Sequence, residues 1–388
     1  MPQALFFVGL LLLSAIASGQ SPHWQQAGPT VADQGFLIEL PIERAASKIY
    51  VDIPLGGVMR RFVVDTGSPS MISASLASEL GLEPVGKSKG VDAHGGIVES
   101  NIVQADIALG GVEFQNVPMF VADYSSSKAA QCLLGDGVLG SEILPLCTWQ
   151  FDFPDSKLRC ASNPKKLEHI RKRSKQRLYT YGYPHTPYLD IQLARRAKSK
   201  TMFDTGSAPL FVISPDDLKG TQKEGGILRS YSGVGSSGTS LAGQSPVRQQ
   251  QRVEIEKLAI GKLKLGQVVA IERDLAPSLI GASMLEQFVV TLDAKAGAIY
   301  FDRYRQSTKK RSGFGFALSF EGGTHVSLVW DDSPAAKAGL KVGQKIVSLN
   351  GTAADLSCRS IHDMLEHLKG DKLEVERAEG KVELKLPT

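Results

Sequence analysis

The chain has 388 residues, of which 42% are hydrophobic and 22% charged, with 39 glycines and a formal net charge of +4. That length exceeds one ordinary core and suits two or three domains, and the turn-rich composition favours many short strands while excluding a disordered or fibrous chain. Basic residues are dispersed apart from one run, so nucleic-acid binding and acidic partners find no support in the composition.

At the N-terminus an apolar run from Ala4 to Ala17 is followed by small residues through Gly19, the pattern of a secretory signal peptide over residues 1–19. A secreted or periplasmic location is expected, with no stable membrane insertion after cleavage. The competing reading is an uncleaved anchor, because no Lys or Arg precedes the run. His23 to Gly35 reads as a polar lead-in to the first strand.

Alternating apolar strands separated by Gly, Asn, Asp and Ser turns are expected from Ser47 to Val64, Val91 to Val121 and Thr148 to Leu158. The first of these runs into Phe62-Val63-Val64-Asp65-Thr66-Gly67-Ser68, which returns in the second half as Thr201-Met202-Phe203-Asp204-Thr205-Gly206-Ser207. Ile49-Tyr50-Val51-Asp52-Ile53 likewise returns as Pro187-Tyr188-Leu189-Asp190-Ile191, and Val138-Leu139-Gly140 as Leu279-Ile280-Gly281. Three landmarks at one nearly constant offset mark a duplicated unit, which a chance Asp-Thr-Gly turn would not bring with it.

Cys132, Cys147, Cys160 and Cys358 lack C-x-x-C spacing, which argues against structural zinc. Export favours a disulfide. One bridge within the first three cysteines is expected in preference to one reaching Cys358, with buried free thiols as the other reading. Pro164 to Arg177 holds seven Lys or Arg against the single acid Glu168 and reads as an exposed inter-lobe linker. In the second half, strands are expected at Pro187 to Leu193, Thr201 to Phe203, Arg252 to Ile271 and Phe288 to Phe301, with a short helix over Ser283 to Gln287. Arg303 to Ser312 is polar, basic and aperiodic, which marks a second linker.

These paired motifs resemble the aspartic proteases of the pepsin and retropepsin type. The resemblance covers roughly residues 30 to 303. It implies a mainly β fold with two pseudo-symmetric β-barrel lobes, 30–163 and 179–303, joined by the linker 164–178. It also implies a catalytic dyad of Asp65 and Asp204. Thr66 and Thr205 would bond across to the other loop, Gly67 and Gly206 would form the tight turn, and Ser68 and Ser207 would orient the outer carboxylate oxygens. Two adjacent carboxylates cannot both ionise freely, so they share a proton and titrate as a unit; the handling of a water between them needs no metal or cofactor. Mildly acidic conditions would suit a singly protonated pair. The flap is expected near Val91 to Ser100, with His94, Gly95 and Gly96 at its tip; a pepsin-type flap tyrosine is absent there, which moves the resemblance towards the glycine-rich retropepsin branch. Tyr231 to Ser240 is its second-half counterpart, a second flap or a mobile loop.

After the linker 304–312, residues 313–388 carry Gly313-Phe314-Gly315-Phe316, then Ser333-Pro334-Ala335-Ala336-Lys337-Ala338-Gly339-Leu340, Gly343-Gln344-Lys345-Ile346 and Asn350-Gly351. This series is similar to a bacterial PDZ domain, a small α+β module. Its loop Gly313, Phe314, Gly315 and Phe316 would aim backbone N–H groups at a peptide carboxylate, and the next strand would offer an edge to a peptide C-terminus or an internal peptide segment. Ser360 to Leu368 would form the opposite wall, with His362 facing solvent. The resemblances together imply a monomeric aspartic endopeptidase acting on polypeptide substrates, with the PDZ module recruiting peptides or regulating access. The alternative is a proteolytically inactive peptide-binding scaffold that uses the PDZ domain.

Overall fold

The computed structural model describes residues 24–25, 28–236, 238–241, 243–306 and 313–386. The expected signal peptide, and residues 307–312 of the second linker, lie outside the described residues.

Strand Lys48–Leu55 turns through Gly56 and Gly57, both at positive φ, into Val58–Val64. A two-residue hairpin turn of that kind needs glycine or a close substitute. Val58–Val64 then runs parallel to Gly137–Leu139, which is antiparallel to Met71–Ser73. The second half repeats this, with Lys198–Asp204 parallel to Leu279–Gly281 and the latter antiparallel to Phe211–Ile213. The repeated apolar-apolar-glycine sequence has a packing cause. A Cβ on Gly140 would run into the backbone of Ser68 to Ser70, and one on Gly281 into the carbonyls of Ser207 and Pro209.

Around these crossings the first half builds a nine-stranded sheet, and the second half contributes most of a ten-stranded one. A six-stranded sheet is shared between them. In it Thr148–Asp152 of the first half lies antiparallel to Phe288–Asp293 of the second, with Trp149 opposite Leu292. Both strands are buried along their whole length, as strands covered on both faces must be.

The expected closed β-barrel lobes are corrected by this arrangement. The six-stranded sheet is open, with Lys175–Arg177 at one edge and Leu37–Pro41 at the other. Each half gives strands to the common sheet and so buries its apolar faces without closing on itself. The architecture is a strand-rich α+β fold with a separate small region of helix and sheet at the C-terminus. The basic inter-lobe segment is partly structured, for its end Lys175–Arg177 pairs with Ala298–Arg303.

The fold carries short α-helices at α1 (Ala74–Glu79), α2 (Lys128–Leu134), α3 (Pro215–Lys223), α4 (Pro334–Lys337) and α5 (Cys358–His367). Each is capped by the serine before it, Ser73, Ser127, Ser214, Ser333 and Ser357, whose hydroxyl accepts a backbone N–H of the first turn. The helix expected over Ser283 to Gln287 forms as a 3₁₀ turn, Ala282–Glu286.

The C-terminal region is divided between two sheets. Ile346–Leu349, Thr352–Ala353, Lys372–Arg377 and Gly380–Lys385 form a four-stranded sheet. Phe316–Ser319 and His325–Trp330 extend the ten-stranded sheet, because His325–Trp330 pairs with Ile227–Gly235 of the second half. The segment expected to be a second flap or mobile loop is therefore, through Gly235, a strand that holds the C-terminal region. Gly233 permits this, since a Cβ there would run into Trp330 and the Val329 carbonyl.

Candidate functional site

The two Asp-Thr-Gly loops meet face to face. The Thr66 backbone N–H donates to Thr205 Oγ1 at 3.0 Å and the Thr205 N–H to Thr66 Oγ1 at 3.1 Å. Each hydroxyl in turn donates to the strand before the other loop, Thr66 to the Phe203 carbonyl at 2.6 Å and Thr205 to the Val64 carbonyl at 2.8 Å. Gly67 N–H donates to Asp65 Oδ1 and Gly206 N–H to Asp204 Oδ1, both at 2.9 Å. A Cβ on Gly67 would occupy the Asp204 carboxylate and one on Gly206 the Asp65 carboxylate. Each loop glycine thus makes room for the acid of the opposite half.

Asp65 is 0% exposed and Asp204 3%. Burial pushes the Asp65 carboxyl well above its ordinary range and the facing Asp204 adds to this, while Lys48 and the Gly67 N–H oppose it. Burial also raises Asp204, against its hydrogen bond with Asp65 and the charges of Lys48 and Arg273. The serines do not take the expected part. The Ser68 hydroxyl donates to the Pro69 carbonyl at 3.1 Å, and Ser207 Oγ and Asp65 Oδ2 are buried without a hydrogen-bond partner among the described residues.

Lys48 is the residue that sequence reasoning missed. It heads strand Lys48–Leu55, is 2% exposed, and its ammonium donates to the Gly206 carbonyl at 2.6 Å. Burial lowers its pKa, and Asp65 and Asp204 pull it back up. The signal was faint: one cation opening a mostly apolar strand that also carries the exposed Asp52.

The flap is closed onto the second half. Its Ala93 packs with Met202, Val212 and Leu279, and Ser240 donates to the Asp92 carboxylate at its base. His94 N–H and Gly96 N–H cap the same carboxylate at 3.0 and 2.7 Å. Gly95 takes the positive φ of the turn, and burial lowers the His94 pKa. His94, Gly95 and Gly96 therefore build a tight turn over a buried acid.

The PDZ loop Gly313, Phe314, Gly315 and Phe316 and the strand behind it, through Phe320, are buried at every position. Gly315 has φ +87° and lies against Ser333, where a Cβ would clash. Its carbonyl accepts the Trp330 N–H at 2.8 Å and the Ser333 hydroxyl at 3.3 Å. Phe316–Ser319 is the terminal strand of the ten-stranded sheet. The wall expected over Ser360 to Leu368 is α5, but His362 does not face solvent: its Nε2 lies 2.9 Å from the Cys132 carbonyl. Two disulfides are present: Cys147–Cys160, within the first three cysteines as expected, and Cys132–Cys358, the less expected pairing.

Residues 51–143 match the family model described as an aspartyl protease, and residues 325–376 match that of a PDZ domain. An aspartic-protease-type domain and a PDZ domain are both present in the chain. None of the curated proteins matches it. Among solved structures, basic 7S globulin from soybean is 10% identical, with 69% of this chain and 95% of that chain covered and a TM-score of 0.40. Conglutin gamma, a basic 7S globulin from lupine seeds, is 11% identical, with 70% and 95% covered and a TM-score of 0.42. Both are globulins, and so distant a likeness carries no function across.

The expectation of a working aspartic endopeptidase is corrected on the geometry. A buried lysine sets a compensating charge against the pair, neither serine hydroxyl bonds a carboxylate and Asp65 Oδ2 has no partner among the described residues, and the flap is seated on the second half. Peptide-bond hydrolysis is accordingly not assigned to Asp65 and Asp204. The pair lies buried where the halves meet, and the hydrogen bonds of Thr66 and Thr205 join the two loops there.

Proposed function

We propose that this chain is a peptide-recognition protein, in which the protease-type halves are the scaffold and the PDZ groove is the binding element. One observation carries the reading. Phe316–Ser319, directly after the glycine-aromatic loop, is the last strand of its sheet, so a peptide laid beside it would extend the sheet through main-chain hydrogen bonds. Phe314, Phe316 and Leu318 cluster with Ile361 and Leu365 of α5, which supports an apolar residue at the carboxyl end of the peptide. Anchoring the PDZ strands in the larger sheet limits the cost of ordering the site, the usual advantage of a preorganised scaffold.

Location outside the cytosol is part of the proposal. Two disulfides and no free cysteine support an oxidising compartment. Among the described residues no helix is long and apolar enough to cross a membrane.

The test is fluorescence anisotropy with a pool of labelled peptides, degenerate except for a free apolar C-terminal residue, set against the same pool with its carboxyl groups amidated. Binding of the free-acid pool, weakened about tenfold or more by amidation, is expected once the groove is accessible. Equal retention of both pools would remove the carboxylate loop from the mechanism.

A further inference from the structure

The terminal strand of a sheet, with its outer edge unpaired, is ordinarily the exposed one, yet Gly313 to Phe320 is buried throughout. Helix α2 of the first half packs against α5 beside the groove. Ala129, Ala130 and Leu133 of α2 lie in the same apolar cluster as Phe316, Leu318 and Phe320 on one wall of the groove and Ile361 and Leu365 on the other. Polar contacts tie α2 to both walls. The Ser127 hydroxyl donates to Glu321 just past the strand at 2.6 Å, and the Cys132 carbonyl meets His362 of α5. Cys358, His362 and Glu366 recur every fourth residue along one face of α5, and each is engaged by the first half, the last by accepting the Ala46 N–H at 2.9 Å. The Cys132–Cys358 disulfide closes this set covalently, joining positions 226 residues apart.

The two disulfides differ in access. Cys147 and Cys160 are 3% and 0% exposed and sit in the main core. Cys358 is exposed and follows Ser357, which lines a cavity of about 570 Å³ with Lys128, Gln131, Phe320, Glu321 and Asp355. Cys358 is also the first residue of the ten-residue α5, and a thiolate at a helix N-terminus is stabilised by the unpaired N–H groups and the helix dipole. A bond that yields such a thiolate is more readily reduced than one buried in an apolar core.

We propose that Cys358 is a thiol–disulfide exchange site and that the bond it makes is the latch holding α2 over the PDZ groove. The inference rests on the peptide-recognition reading for its purpose. The reactant is a dithiol. One thiolate attacks Cys358 Sγ, the Cys132–Cys358 bond breaks and Cys132 leaves as a thiolate that takes up a proton. The second thiol then attacks the mixed disulfide and releases Cys358. The protein disulfide gains two electrons and the dithiol is oxidised to its cyclic disulfide. Without the covalent tie, α2 is held by its non-covalent contacts alone, and a peptide competes with it for the groove.

The experiment titrates the folded full-length exported chain with dithiothreitol. It identifies the liberated cysteines by alkylation and mass spectrometry, and follows amide exchange over residues 127–134 and 313–320 alongside binding of the free-acid peptide pool. Cys358→Ser, without reductant, supplies the open state independently. Release of Cys132 and Cys358 first is expected, with loss of protection in both segments and apparent peptide affinity rising about tenfold. Release of Cys147 and Cys160 first would overturn the inference, as would protection of 313–320 that survives both cleavage of the Cys132–Cys358 bond and the Cys358→Ser change. Opening without peptide binding would uphold the latch and sink the peptide reading.

Discussion

Lys48→Met offers the sharpest test of the buried joint. In the wild type the ammonium is 2% exposed, bonds the Gly206 carbonyl and faces two carboxyls that are themselves almost fully buried. Breaking a buried charge group by removing one member costs about 3–5 kcal/mol when the remaining charge stays uncompensated, a large part of a typical domain stability of about 5–15 kcal/mol. The carboxyls can escape part of that cost by holding a proton. Their folded pKa values are already raised above the value of about 3.9 for an unfolded aspartate, so the folded state binds more protons than the unfolded one, and this contribution to stability falls as pH rises through the window. Losing Lys48 raises the folded values further and widens the window upwards. The deficit of the variant should be small near pH 4 and approach its full size above neutrality. Urea titration of mutant and wild type across that range, followed by tryptophan fluorescence and far-ultraviolet circular dichroism, measures it. Asp65→Asn added to the variant should recover part of the loss at neutral pH, because it removes one of the two charges. A neutral-pH deficit under about 1 kcal/mol, or one that is flat with pH, would refute the assignment of Lys48 as the compensating charge.

Glu142 is buried, accepts from Ser70 N–H and from the Ser70 and Tyr183 hydroxyls, and is pushed up by burial to about 7. Its ionisation therefore costs stability as pH rises from about 4.5 to above 7, on the order of 3 kcal/mol over the window, and Glu142→Gln should flatten the pH dependence of the unfolding midpoint there; an unchanged slope would disprove it. Replacing Cys147 and Cys160 together by serine opens a bridge of separation 13, with an expected loss of about 3 kcal/mol read from urea midpoints; a loss below about 1 kcal/mol would show that the bridge adds little to the core. Incubated with an unstructured protein between acidic and neutral pH, the folded chain should produce no new fragments by mass spectrometry. Cleavage abolished in both Asp65→Asn and Asp204→Asn would restore the hydrolytic reading rejected above.

The duplicated loops, their strands and the PDZ segment were legible because their signals are local and repeated. Asp65-Thr66-Gly67-Ser68 and Asp204-Thr205-Gly206-Ser207 carry the same steric demand, glycine where the opposite carboxylate must fit, and Val138-Leu139-Gly140 and Leu279-Ile280-Gly281 the same close backbone approach. The Gly-Phe-Gly-Phe loop is similarly tied to its own neighbour Ser333. What the side chains do after the halves assemble was not legible in this way. Lys48 finds Gly206, Ser240 finds Asp92 and Cys132 finds Cys358 across long stretches of chain, and no periodicity or motif encodes such partners. The same holds for the open shared sheet in place of closed barrels, since a strand's alternation states that its faces are buried and not which strand lies beside it. The sequence alone determined two related Asp-Thr-Gly halves and a PDZ module. Only the tertiary structure decided that a lysine lies against the paired acids, that the flap is seated, and that a helix of the first half is tied to the PDZ region, because each depends on distant surfaces brought into contact by packing.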